Sequence, residues 1–202
     1  MSGPDYSFEA AATAPVCGVD EAGRGPWAGP VVAAAVVLNP ADIPEGLNDS
    51  KKLTAKRREA LFDEINARAK VGTGITEVAE IDEINILNAT YLAMRRAIDA
   101  LPQPPAHALI DGNRLPPDLP CTAETIVKGD GRSLSIAAAS IIAKVTRDRI
   151  MVALAQQFPG YGWEKNAGYG VPAHQEGLKR LGVTPHHRVS FKPIHKMLYQ
   201  EN

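Results

Sequence analysis

An α/β domain is the fold class that the sequence predicts, on three observations. Short apolar runs rich in β-branched residues recur at residues 16–19, 30–38, 72–78, 107–110 and 122–127, bounded by glycine, proline or polar residues. Longer segments between them carry apolar residues at helical spacing. Two of the runs end in a carboxylate with glycine close by, at Asp20-Glu21-Ala22-Gly23 and at Asp111-Gly112, which is where open α/β sheets present ligand groups. With 202 residues, 45% of them hydrophobic, the chain can bury one substantial core, so one main domain is expected.

The first run delivers Asp20 and Glu21 into Gly23-Arg24-Gly25. Consecutive strand side chains point to opposite faces, so these carboxylates are expected to converge only where the strand ends and the backbone turns. A glycine turn can bring main-chain N–H groups to a ligand beside the acids, although a solvated hairpin tip would carry the same residues. Residues 30–38 read as a buried strand pairing back onto the first. The polar stretch Asn48-Asp49-Ser50-Lys51-Lys52-Leu53 precedes a helix with Thr54 as its N-cap and Leu61, Phe62 and Ile65 as its apolar stripe. A third strand follows at residues 72–78. Ile81, Ile84, Leu87, Tyr91, Met94, Ile98 and Leu101 then recur at steps of three and four, an amphipathic helix whose stripe belongs to the core.

Pro102, Pro104 and Pro105 end that helix, and the strand at 107–110 leads to Asp111, which could equally form an Asx turn. After the strand at 122–127, Asp130 precedes a buried helix over residues 133–158, either as its cap or as a further site carboxylate. On that helix Lys144, Arg147 and Arg149 read as a solvated face, with the alternative that Lys144 reaches toward the acids. A glycine-rich aromatic stretch at 160–172 leads to a short helix from about Pro172; its aromatics could stack on bases or fill a loop core. His186, His187, Arg188, Lys192 and His195 then surround Phe191 without metal-ligand spacing, which favours phosphate contact over metal binding.

The formal net charge is −1, which argues against a strongly electrostatic nucleic-acid binder until its distribution is considered. Residues 1–120 hold 11 Lys+Arg against 17 Asp+Glu, whereas residues 121–202 hold 11 against 6. A basic C-terminal portion facing an acidic pocket suits a polyanion held over metal ions. No segment approaches the roughly 18 consecutive apolar residues of a membrane span, and residues 1–14 have neither a basic start nor an apolar core. A cytoplasmic location with no membrane partner is expected. Cys17 and Cys121 lie outside any CxxC or Cys/His cluster, so reduced, buried thiols and no zinc site are expected.

Asp20, Glu21, Asp111 and Asp130 end or follow successive strands, so one sheet edge could gather four carboxylates. Their repulsion calls for cations. Mg²⁺ and Mn²⁺ prefer oxygen ligands, and two such ions about 3.5–4 Å apart can drive phosphodiester hydrolysis. Two rivals stand beside this reading. Gly23-Arg24-Gly25 through Gly29 can be read as a dinucleotide phosphate loop, opposed by the missing N–H of Pro26 and by a strand where a helix is needed. A non-catalytic nucleic-acid-binding module would have no use for four acids that repel phosphates.

The blocks Gly18-Val19-Asp20-Glu21-Ala22-Gly23-Arg24-Gly25-Pro26, Asp49-Ser50-Lys51-Lys52-Leu53, Ile110-Asp111-Gly112-Asn113 and Lys128-Gly129-Asp130, with residues 135–148, resemble ribonuclease HII in the family's order across residues 16–195. Arg24 between the two glycines favours HII over its sibling HIII, which usually carries lysine there. The resemblance implies an RNase H-like mixed sheet flanked by helices, with a small helical C-terminal portion. Within that frame the expected division is a flexible segment at 1–13, a catalytic core at 14–158 and a substrate-binding portion at 159–202. The implied activity is a monomer's endonucleolytic cutting of the RNA strand of RNA–DNA hybrids, and 5′ to single ribonucleotides embedded in duplex DNA, leaving 3′-hydroxyl and 5′-phosphate ends. Asp20, Glu21, Asp111 and Asp130 would hold two Mg²⁺ or Mn²⁺ ions, with Asp20 shared between them. Gly23, Arg24 and Gly25 would read the ribose 2′-OH, Tyr169 would sense the RNA–DNA junction, and Ser50, Lys51 and Arg188 would contact substrate.

Overall fold

Strand β1 (Val16–Ala22) is the middle of the sheet, and the chain around it is described over residues 3–199 by a computed structural model. A short helix α1 (Ser7–Ala11) precedes it, and β2 (Val31–Val37), α2 (Ala55–Arg68), β3 (Lys70–Thr76) and α3 (Val78–Asp99) follow. Then come β4 (His107–Asp111), β5 (Thr122–Ile126), the long α4 (Leu134–Gln157) and three short helices, α5 (Trp163–Asn166), α6 (Pro172–Leu181) and α7 (Lys192–Tyr199). The strand order is β3-β2-β1-β4-β5, with the first three antiparallel and β4 and β5 parallel to β1. This is the expected mixed sheet flanked by helices.

Helices cover both faces, which is why β2 reads Val-Val-Ala-Ala-Ala-Val-Val with no polar alternation. On one face Cys17, Val19, Ala33, Ala35 and Ile110 pack against Ile81, Ala93, Met94 and Ile98 of α3. On the other, Ala34 and Val36 meet the small-residue surface of α4 and Leu61 and Ile65 of α2. Gly18 is where α4 comes closest: a Cβ there would stand 2.2 Å from the Ile136 nitrogen. Thr54 caps α2 as expected, its side chain accepting from the Arg57 N–H. No helix among the described residues is long and apolar enough to cross a membrane. Cys17 is buried, which pushes its thiol up to about 12, and Cys121 is half-buried.

Three expectations are corrected. β1 continues through both acids to Ala22 and does not end before them. The helix over 81–101 is broken at Asn85, whose φ is 68°; the Asn85 side chain accepts from the N–H groups of Leu87 and Asn88 and so restarts the helix. Asp130 is not the cap of α4, because Ser133 accepts from the Ile136 N–H. The described part of 1–13 is hydrogen-bonded to the start of α4: Asp5 exchanges main-chain hydrogen bonds with Arg132 and Leu134, and the buried Glu9 carboxylate accepts from Ser133 Oγ and from the N–H and Oγ of Ser135.

Because a Cβ at Gly18 has nowhere to go between two packed backbones, Gly18→Ala is expected to destabilise the protein by about 3 kcal/mol. A urea midpoint equal to that of the unsubstituted protein would mean that α4 can move off β1 at little cost.

Candidate active site

The strand pleat, and not a turn, sets the two adjacent acids apart. Asp20 pairs with Ala34, on the α4 face, and Glu21 with Ala33, on the α3 face. They still interact, because both stand near the end of β1 where the sheet stops. Asp111 ends the neighbouring parallel strand, one residue beyond the Val19–Ile110 pair. Its Oδ1 accepts from the Gly129 N–H at 2.6 Å, which fastens to it the 3-10 turn Gly129–Gly131 that carries Asp130. Asp20 Oδ1 accepts from the Glu21 N–H at 2.7 Å.

Electrostatics binds the four into one group. Burial pushes the Asp20 carboxyl well above the usual range, and the negative charges of Glu21, Asp111 and Asp130 push it further. Glu21 is also raised, chiefly by burial, against the pull of Arg24, whose guanidinium stands 3.6 Å away. Asp130 is raised by burial, by Asp49 and by Asp111. Asp49 therefore belongs to the acidic group, although its sequence context marked it only as part of a polar loop. Partial burial draws the Lys51 ammonium down, but Asp20, Asp49, Asp130 and Asp111 outweigh this and raise it. Among the described residues no three His, Cys, Asp or Glu side chains already stand at metal-holding spacing. The donor set nevertheless fits a hard divalent cation: it is all oxygen, and the repulsion within it is what a cation relieves.

Two cavities flank these acids and share Glu21 and Arg24. One, of about 310 Å³, is lined by Asp20, Gly23, Gly25, Ser50, Lys51, Lys144 and Tyr169 as well. The other, of about 400 Å³, is lined by Asp111, Asn113, Arg114, Leu87, Tyr91 and Met94, so part of the α3 stripe expected in the core faces the cleft. Tyr169 is 48% exposed, and a Cβ on Gly25 would lie 3.3 Å from its ring. Ser50 is buried, and its N–H donates to Ser140 Oγ of α4, which holds the Asp49–Lys51 loop against the cleft.

The turn after β1 is held by two buried arginines. Arg188 Nε donates to the Gly29 carbonyl, Nη1 to those of Arg24 and Pro26, and Nη2 to those of Gly23, Gly29 and Pro30. Arg147 donates to the carbonyls of Pro30, Ala167 and Ala28. Arg188 is fully buried and braces the turn from beneath, and the expectation for Arg147 is corrected, because it is not on a solvated face. Desolvation, with each other's charge adding for Arg188, lowers Arg188 to about 9 and Arg147 to about 10. With the carbonyls drawn inward, the N–H groups of Gly23, Arg24 and Gly25 meet no protein acceptor among the described residues. Pro26 and the strand β2 that follows leave no helix N-terminus here, which removes the dinucleotide-loop reading. His187, expected near phosphate, is buried too, whereas Lys144 lines the acidic cavity while pairing with Asp148 at 2.8 Å.

The family model for ribonuclease HII matches residues 17–198. A curated relative from Ruegeria pomeroyi, named ribonuclease HII, is 62% identical over all of this chain and 88% of its own length. The crystal structure of the ribonuclease H2 from Pyrococcus horikoshii superposes with a TM-score of 0.76 at 31% identity, covering 90% of this chain and 96% of that one. An Archaeoglobus fulgidus structure, described as a PCNA:RNase HII complex, superposes with a TM-score of 0.72 at 28% identity, covering 88% and 95%.

A lysine at position 188 would keep the charge but could not span the carbonyls that the guanidinium fork reaches. Arg188→Lys is therefore expected to cost about 2–4 kcal/mol of stability. It should also lower phosphodiester cleavage more than tenfold at a temperature where the variant is folded, though the residue does not line the cleft. Urea denaturation and a cleavage assay check both, and unchanged cleavage by the folded variant would show that the turn holds its shape without the brace.

Proposed function

The chain belongs to the ribonuclease HII family, and on that premise we propose that Asp20, Glu21, Asp111 and Asp130 are the metal ligands and that Gly23, Arg24, Gly25 and Tyr169 read the substrate. As a member of that family it is a metal-dependent endonuclease that cleaves RNA in RNA–DNA hybrids and at ribonucleotides embedded in DNA. The observation that carries the residue assignment is the juxtaposition in one cavity of Asp20, Glu21, three residues whose main-chain N–H groups meet no protein acceptor among the described residues, and an exposed tyrosine ring, with Asp111 lining the adjoining cavity.

Two divalent cations, Mg²⁺ or Mn²⁺, would supply Lewis acidity to the attacking water and the departing 3′-oxygen when bound. The chain's own groups do the rest. Asp20, buried and surrounded by the other carboxylates, is the natural shared ligand. Lys51, Lys144 and Arg24 stand on the cavity wall as cations for phosphate oxygens. The N–H groups of the Gly23-Arg24-Gly25 turn suit the ribose 2′-OH, which is what separates RNA from DNA. A 2′-OH held in this way is a recognition group and not the nucleophile, so the cut falls 5′ to a lone ribonucleotide and leaves a 3′-hydroxyl and a 5′-phosphate. The same proposal has the enzyme acting as a cytoplasmic monomer.

Asp20→Asn and Asp111→Asn are expected to abolish cleavage while the fold is kept. Since Asp20 is held well above its usual pKa, the neutral amide should leave the metal-free protein at least as stable as the unsubstituted one. Mg²⁺ should raise the melting temperature of the unsubstituted protein and do so less in Asp20→Asn. An equal metal-dependent shift in both would place the ions elsewhere.

Nucleotide-resolution mapping of a duplex with one ribonucleotide tests the chemistry, and a 2′,3′-cyclic phosphate product would contradict it. On that substrate Tyr169→Phe should retain more activity than Tyr169→Ala, because it keeps the ring. Cutting at the unsubstituted rate by both variants would remove Tyr169 from substrate recognition.

A further inference from the structure

Tyr169 presents its ring to the cleft, but its main chain is anchored from the interior. His174 Nδ1 lies 3.0 Å from the Tyr169 carbonyl oxygen, which also accepts from the Val171 N–H at 2.8 Å. His174 Nε2 lies 3.0 Å from Trp163 Nε1 and 3.0 Å from His187 Nε2. His187 Nδ1 in turn lies 2.9 Å from the Thr184 main-chain nitrogen and 2.9 Å from Thr184 Oγ1. Trp163, His174 and His187 are all buried.

One arrangement of protons satisfies every contact. A main-chain N–H can only donate, so His187 Nδ1 carries a lone pair and the ring's single proton sits on Nε2. That proton points at His174 Nε2, which also receives the indole N–H, again a donor only. His174 Nε2 is therefore bare, and the ring's proton is on Nδ1, where it donates to the Tyr169 carbonyl. Neutral rings are what the surroundings favour: desolvation lowers His174, and it lowers His187, with His174 and His186 adding, to about 4.

We infer that His174 and His187 are positioning residues for substrate recognition, forming a proton-ordered chain from Thr184 to the Tyr169 carbonyl that sets the Tyr169 ring against Gly25. This rests on the reading of Tyr169 as a substrate-contacting residue. Two buried imidazoles in an otherwise aromatic and aliphatic cluster are an expensive way to fill space, since each must have both nitrogens satisfied. The chain satisfies them in series, and its last donor is spent on the main-chain carbonyl of a residue whose ring is exposed.

Two substitutions separate positioning from packing. In His174→Asn the amide reaches the Nδ1 position and can still donate to the Tyr169 carbonyl. In His174→Gln the amide reaches the Nε2 position, can accept from Trp163 and His187, and leaves the carbonyl without its donor. On a single-ribonucleotide duplex, His174→Gln is expected to raise KM about fivefold with kcat nearly unchanged, and His174→Asn to stay within about twofold of the unsubstituted enzyme. In a Tyr169→Ala background the His174→Gln effect should vanish. An unchanged KM in His174→Gln, equal losses in the two variants, or an undiminished effect without the tyrosine ring would each overturn the inference. If Tyr169→Ala is itself harmless, the reading of Tyr169 falls and the inference with it; if Tyr169→Ala is impaired and His174→Gln is not, the inference alone falls. Should neither His174 variant fold, ¹⁵N spectra of the unsubstituted protein's imidazoles decide. Protonation of His187 on Nε2 and of His174 on Nδ1 supports the chain, and any other pair of tautomers, or a charged ring at neutral pH, overturns it.

Discussion

The structure depends on two guanidinium groups buried among main-chain carbonyls. Arg188 and Arg147 together accept the burden of orienting residues 23–30, and all the acceptors they meet in that loop are carbonyl oxygens, not carboxylates. A buried charge is tolerated only when its donors are satisfied, and a peptide segment rich in inward carbonyls does this without adding a negative charge beside the acids. The lowered pKa values of both arginines record the desolvation that remains. In return the loop has one shape, and Gly23, Arg24 and Gly25, whose N–H groups meet no protein acceptor among the described residues, line the cleft.

The same contacts make the C-terminal portion part of the catalytic unit. Trp27 donates to the Gly168 carbonyl, Gly29 to that of His186, and Arg188 to that of Trp27 through its own N–H, while Ala28 bridges His187. On the far side, Asp82 of α3 accepts from the N–H groups of Val189 and Ser190 and from Ser190 Oγ. The basic excess of the last 82 residues thus reads differently in three dimensions. Two of its arginines are buried and serve the fold, so the positive charge on the surface of this portion is smaller than the composition implies. Lys51 and Arg24, from the acidic half, supply part of what faces the cleft.

Much of the fold was legible because the sheet is covered on both sides: continuous apolar runs mark its strands, and carboxylates at run ends stand out against them. Thr54 was legible because capping is local. Arg147 was not, since α4 is apolar around most of its circumference and offers no polar stripe against which a buried arginine could be recognised. Asn85 was hidden for another reason. The apolar spacing continues across it unbroken, and only the backbone reveals that its side chain starts a second helix. Arg188 was placed on substrate by its basic surroundings, yet the partners that bury it lie about 160 residues earlier in the chain, beyond the reach of any local pattern.

What the sequence determined by itself was the five strands and the longer helices, the carboxylates at or after the strand ends, the glycine turn and the family, because hydrophobic period and motif order are properties of neighbouring residues. What only the tertiary structure decided was which polar groups are spent internally. Asp49 joins the acids, Arg147 and Arg188 hold the turn, and His174 and His187 take each other as partners, all through contacts between segments distant in sequence. A side chain's burial and hydrogen-bond partners are set by whatever the fold brings against it, and that cannot be read from its own position in the chain.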